Sequence, residues 1–201
     1  MVIVRILLLL AFAAPTFGAE TTARAVTLCD RLAAHPEDPD RVSPGIARDQ
    51  IDLNAAIAAC EQQVRTTPAD ARSRYELARV LFYAGRNADA VPEMQRAADL
   101  GYRQAQFVYG AMISNGRDVA PKDFCIVERY WRESARAGRQ AARISYIRHS
   151  LNGRFAACPQ RADLPELRTL LDAATKEARD YYERLLVEDL NEKLDSTTRR
   201  P

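Results

Sequence analysis

Residues 105–142 read AQFVYGAMISNGRDVAPKDFCIVERYWRESARAGRQAA, and the fold is decided here. Two helical patterns flank one glycine turn. The first carries Phe107, Val108, Gly110, Ala111 and Met112 and stops at Asn115-Gly116. The second carries Val127, Tyr130, Trp131, Ser134 and Ala135 and stops at Gly138. Gly110, Ala111 and Ala135 stand among large side chains, as two closely packed antiparallel helices require.

The same unit recurs on both sides. Upstream, Asp70 is placed to cap a helix over 71–84, and Leu77, Ala78, Leu81, Gly85, Ala90 and Ala97 follow at the spacings of a helix–turn–helix unit. The period of such units is about 34 residues. Gly85 marks the turn, Asn87 the cap of the second helix, and Gly101 its end. Downstream, 142–153 repeats the first-helix pattern, and Asn152-Gly153-Arg154 echoes Asn115-Gly116-Arg117.

Together, Asn115-Gly116-Arg117, Val119 and Asp123, Tyr130-Trp131, Ala135 and Gly138 strongly resemble the Sel-like repeat, a relative of the tetratricopeptide repeat. The resemblance covers about 71–154. It implies an all-α chain: a short α-solenoid of helical hairpins with helical caps. It is specific for fold and almost silent about activity. Relatives of this kind are commonly scaffolds, and some bacterial ones act in the periplasm on envelope signalling.

The flanks read as caps. Residues 27–34 form a short helix, 35–49 a loop broken by Pro36, Pro39, Pro44 and Gly45, and 53–64 a helix capped by Asp52 and ended at Thr67-Pro68. After 154 the repeat pattern lapses. Asp163-x-x-Glu166 spells a capping box with Pro165 in the first turn, and one long helix is expected from there to about residue 194. A terminal helix with a charged outer side suits the end of a solenoid, where no further repeat covers it. The organisation is therefore 1–18, a signal peptide; 19–70, N-terminal capping helices with a Pro-rich loop; 71–162, the repeats; and 163–201, a C-terminal capping helix and tail.

The signal peptide rests on Arg5, the nine apolar residues 6–14, and small residues Thr16 and Gly18 ahead of a cut before Ala19. That run is far short of the roughly 20 residues that span a bilayer. The expectation is a periplasmic or secreted protein with no stable membrane insertion after cleavage. Export makes the even set Cys29, Cys60, Cys125 and Cys158 read as two disulfides, for which sequence alone allows three pairings. Given stacked repeats, Cys125 and Cys158 follow corresponding turns, and Cys29 and Cys60 flank the Pro-rich loop. The expected pairs are Cys29–Cys60 and Cys125–Cys158.

The sequence is poor in catalytic signals. His35 and His149 lack a second ligand at metal spacing, and no phosphate loop, nucleophile elbow or dinucleotide fingerprint occurs. Cys125 and His149 carry no local signature of a catalytic pair. No catalytic, metal or cofactor residue is assigned. A formal net charge of +2, with 28 % charged residues, gives no global field for nucleic acid.

What remains is a protein or peptide partner. Arg129, Arg132, Arg136 and Arg139 recur on one side of the 124–138 helix. They read either as a docking patch for an acidic partner or polyanionic polymer, or as the solvated outer face of a repeat helix. Aligning Ala78, Gly110 and Ile147 as helix-crossing positions lines a concave groove with Arg72, Tyr75, Arg79, Phe82, Tyr83, Phe107 and Arg148. Tyr and Arg are the types enriched at binding hot spots. The groove requires Arg79 and Tyr83 to be partly exposed; the alternative is that the N-terminal helices cover the first unit. The expected role is an adaptor, scaffold or regulator in the cell envelope. An enzyme with a pocket against the capping helices, or a purely structural envelope component, is the alternative.

Overall fold

Acidic side chains start many of the helices in this chain. Asp52, Asp123, Asp163 and Asp180 each accept a hydrogen bond from a backbone N–H in a helix's first turn, satisfying donors that have no partner within the helix. The computed structural model describes residues 25–116 and 123–199, and among these the regular elements are all helical. Residues 1–18, read as a signal peptide, and Arg117 and Val119 of the central turn lie outside the described residues.

The N-terminal cap is α1 (Leu28–Ala33), a single 3-10 turn (Arg48–Gln50) and α2 (Leu53–Thr66). The first repeat is α3 (Ala71–Tyr83) with α4 (Asn87–Asp99), and the second is α5 (Arg103–Asn115) with α6 (Phe124–Arg136). The third begins with α7 (Gln140–Leu151), and the chain closes with α8 (Leu164–Glu177) and α9 (Tyr181–Thr198). Each helix packs on the next through the repeats, α1 also reaches α3, and α9 returns to α7. This is an α-solenoid of hairpins between two helical caps.

The central unit forms as its pattern requires. Gly110 sits where α5 crosses α6; a Cβ there would lie 2.5 Å from Trp131 Nε1. Val127, Tyr130, Trp131, Ser134 and Ala135 are all buried. Their polar atoms are satisfied by the preceding elements. Trp131 Nε1 donates to the Phe107 carbonyl (3.0 Å), Tyr130 Oη to Asp99 (2.6 Å) and Ser134 Oγ to the Arg103 carbonyl (2.6 Å). Gly138, at φ +88°, makes the left-handed turn into α7 without a Cβ penalty.

Two disulfides staple the ends. Cys29–Cys60 joins α1 to α2 with Cα atoms 4.6 Å apart, and Cys125–Cys158 joins the first turn of α6 to the turn before α8 at 5.2 Å. One apolar cluster, with Ala56, Leu77, Val80 and Leu81, lies under the N-terminal cap. A larger one runs from Tyr75 through Trp131 and Ile147 to Leu194.

Some expectations change. The helix expected over 163–194 is two helices, because Asp180 accepts from Glu183 N as the N-cap of a new helix, while Glu183 Oε2 accepts from Arg179 N just ahead of that cap. The α8 box is only half made. Asp163 accepts from Glu166 N at 2.9 Å, but the Glu166 carboxylate is drawn away to Arg132 and Arg136. Asn87 is the first residue of α4, and Arg86 occupies its N-cap position.

Candidate functional site

The inner face is formed by α3, α5 and α7, and its two ends differ. Over α3 it is closed. Arg72 grips Asp30 through Nε at 2.6 Å, with the Asp30 side chain wholly buried. Arg79 donates to the carbonyls of Ala33 (2.7 Å), Ala34 (2.9 Å) and Ile46 (2.7 Å) and is 4 % exposed. Farther along, Tyr102 Oη donates to Asp38 (2.7 Å), and Arg103 holds both Asp40 oxygens at 2.6 and 2.7 Å. The N-terminal segment therefore lies along the first unit, held by Arg72 and Arg79 of α3 and by Tyr102 and Arg103 at the start of α5.

This corrects the groove as read from sequence. Arg72, Tyr75 and Arg79 are buried beneath the N-terminal cap, so they serve folding and do not face an open groove. Phe82 is half-buried against the capping cluster, and the Tyr83 ring lies against the guanidinium groups of Arg48 (4.8 Å) and Arg79 (5.1 Å). Arg–aromatic packing and backbone capture hold a chain's own segment as well as a partner's.

Over α5 and α7 the face is open. A depression of about 510 Å³ is lined by Phe107, Ala111, Ser114, Asn115, Trp131, Ser145, Arg148, His149 and Arg154. Its floor is aromatic. The Trp131 indole stacks on the His149 imidazole, and Phe155 abuts both edge-on. Among the described residues its walls carry two cations and no carboxylate. Arg148 is exposed and has no carboxylate partner among the described residues; Arg154 lies over the Phe124 ring at 4.7 Å. Burial, then the charges of Arg148 and Arg154, push the His149 imidazole down to about 4, so it is neutral near pH 7. Phe107 and Arg148 thus meet at this site. Ser114, Asn115, Ser145, His149 and Arg154 were not assigned to it from sequence. Asn115 read only as a turn residue, although it stands at Tyr83's register in the next repeat.

The outer basic stripe is also corrected. Arg132 and Arg136 converge on Glu166, whose carboxyl they lower to about 2 against its burial. Arg129 packs over the Tyr130 ring at 4.0 Å and lies 3.8 Å from Glu133. Arg139 is past the helix end and turns onto the inner face, where it reaches Gln104 and overlies Phe107. The four residues do not form one free patch. Glu128, on the same helix, is buried, accepts from Tyr146 Oη at 2.7 Å and lies 3.9 Å from Arg132.

The groups with the most shifted acidities sit under the N-terminal cap. Burial, then the charge of Asp30, pushes the Glu76 carboxyl up to about 9. Cys29, Cys60 and Glu76 bring three potential metal-ligand atoms within 4.8 Å, but the two sulfurs are bonded to each other. Thiolates are what a metal would need there.

No family model matches the chain, and no curated protein sequence does. Solved structures share its fold. It is similar to a Sel1 repeat protein from Oxalobacter formigenes at 20 % identity and a TM-score of 0.50, over 71 % of this chain and 99 % of that one. It is also similar to a protective antigen present in uropathogenic Escherichia coli strains that displays an SLR fold, at 18 % identity and a TM-score of 0.55. That match covers 80 % of this chain but 34 % of the antigen, so the chain spans about a third of its length. The fold is that of the Sel-like repeat solenoids. Among the described residues no helix is long and apolar enough to cross a membrane.

Proposed function

We propose that this protein is an exported interaction module of the cell envelope that grips a segment of another protein along the uncovered inner face of α5 and α7. The carrying observation is the contrast along one surface. Over α3 the Arg and aromatic side chains are occupied by the chain's own N-terminal segment. Over α5 and α7 an open depression of about 510 Å³ presents Phe107, Arg148 and Arg154. Concavities of this size are usual for ligand sites, and repeat solenoids offer their inner faces for binding. Export is supported by two disulfides, which persist in oxidising compartments, and by the leader-like residues 1–18.

A photo-crosslinking residue at Ser145, inside the depression, tests the reading against one at Gln95, on the exposed outside of α4. In envelope fractions the first should give a discrete protein adduct and the second none. Equal labelling from both positions, or none from Ser145, would reject the inner face as the binding surface. Terminal sequencing of envelope material should find a mature chain starting at or near Ala19.

A further inference from the structure

The covered and uncovered halves of the inner face can be read against each other. Arg79 directly follows the crossing residue Ala78, and Arg148 directly follows Ile147, which the repeat alignment places at the same position. Both crossing residues are fully buried, which supports that alignment. In the first unit the Arg at this register holds three backbone carbonyls, from Ala33, Ala34 and Ile46. Ala33 and Ala34 end α1, where carbonyls lack a partner within the helix, and Ile46 closes the non-helical stretch 34–47 that contains Pro36, Pro39 and Pro44. Two of its carboxylates find donors along the same face, Asp38 on Tyr102 and Asp40 on Arg103.

In the third unit the equivalent Arg has no cover among the described residues. Arg148 is exposed, Arg154 stands beside it, Asn115 offers an amide, and among the described residues no carboxylate lines the depression to repel an acid. Resting on the inner face as the binding surface, we infer that this stretch takes from another chain what the first unit takes from its own: an extended, Pro-tolerant acidic segment of a protein, its backbone carbonyls on Arg148 and a side-chain carboxylate on Arg154. The guanidinium fork suits both acceptors. An extended segment suits the site because the interior of a helix has its carbonyls bonded internally, and only chain outside that interior offers them, as Ala33, Ala34 and Ile46 do to Arg79.

The test uses the full mature chain, with its single Trp131 on the floor of the site as a built-in reporter. The probe is a synthetic peptide copying residues 33–46, AAHPEDPDRVSPGI, which carries the acids Glu37, Asp38 and Asp40. A second peptide replaces those acids by their amides. The acidic peptide should shift Trp131 emission saturably and bind at least tenfold more tightly than the amide peptide. Its binding should weaken at least tenfold in Arg148→Ala and in Arg154→Ala. Arg148→Lys, which keeps the charge but loses the fork, guards against a folding defect and should also weaken it. Equal binding of the two peptides would overturn the inference and leave the inner-face reading standing. So would silence of both peptides alongside a Ser145 adduct, or heparin saturating the site where the acidic peptide does not. No peptide or heparin response and no adduct would bring down both.

Discussion

The indole of Trp131 lies flat on the imidazole of His149, with ring centroids 5.0 Å apart and planes 8° from parallel. Burial, Arg148 and Arg154 hold His149 at about 4 instead of 6.5, so the stacked ring is neutral. The folded-state value is depressed, so its contribution to stability is complete above about pH 6.5 and is lost as pH falls through about 4. An imidazolium in this contact would quench the indole. Trp131 emission should stay level from pH 8 to 5 and drop with a midpoint near 4. His149→Gln should abolish the drop. A midpoint near 6.5 would mean that the imidazole is solvated.

The covered first unit makes a different prediction from an open one. Replacing Arg72 and Arg79 by Ala should damage folding. Loss of Arg72 leaves the buried Asp30 carboxylate without its partner, a class of lesion that costs about 3–5 kcal/mol. Loss of Arg79 strands the three carbonyls that it caps. Thermal melts should show a large drop for the pair and almost none for Arg148→Ala, whose side chain is exposed. A double variant that melts like wild type would show that the N-terminal segment does not hold the first unit.

The central hairpin was legible because its signals are steric. Gly110, Ala135 and Trp131 are arranged as only closely packed helices need. The cover over α3 was legible only as an alternative, since Tyr75 and Arg79 have the same composition whether they hold a partner or residues 27–46. Sequence spacing gives the face of a helix and not its occupant. The break before α9 was there to be read, as Asp180-x-x-Glu183, but those acids also fit a solvated face. Glu166 was read as closing its own capping box. Two arginines from α6 outbid the single backbone N–H, because charge-assisted hydrogen bonds are the stronger.

Gly110→Ala tests the crossing. The added methyl would sit 2.5 Å from Trp131 Nε1 and 2.6 Å from Cδ1. The indole cannot swing aside without losing its 3.0 Å bond to the Phe107 carbonyl. Overpacking of this kind costs about 1–3 kcal/mol, against a helix-propensity gain of about 1 kcal/mol for Ala over Gly. The balance is destabilising, and a lowered urea midpoint should show it. A stabilised variant would mean that the two helices pack less closely than 2.5 Å implies.

Glu76 gives the sharpest pH test. It is 1 % exposed, with Oε2 3.2 Å from Cys29 Sγ. A disulfide sulfur carries no proton, so the carboxyl must be the donor in this contact. Burial and the nearby Asp30 charge push it up to about 9, while Arg72 pulls the other way. In the unfolded chain the group ionises near 4.5. Between those values unfolding releases a proton that the folded protein keeps, so stability falls as pH rises, by about 1.4 kcal/mol per unit. Above about 9 both states are ionised and the fall stops. Glu76→Gln keeps the shape and a donor but cannot titrate. Urea unfolding of the two proteins at pH 5.5 and pH 8 cancels the groups they share. The stability of the Gln variant relative to wild type should increase by about 3 kcal/mol across that interval. A difference that does not change with pH would mean that Glu76 is ionised in the fold and held by Arg72, with no proton shared with the Cys29–Cys60 disulfide.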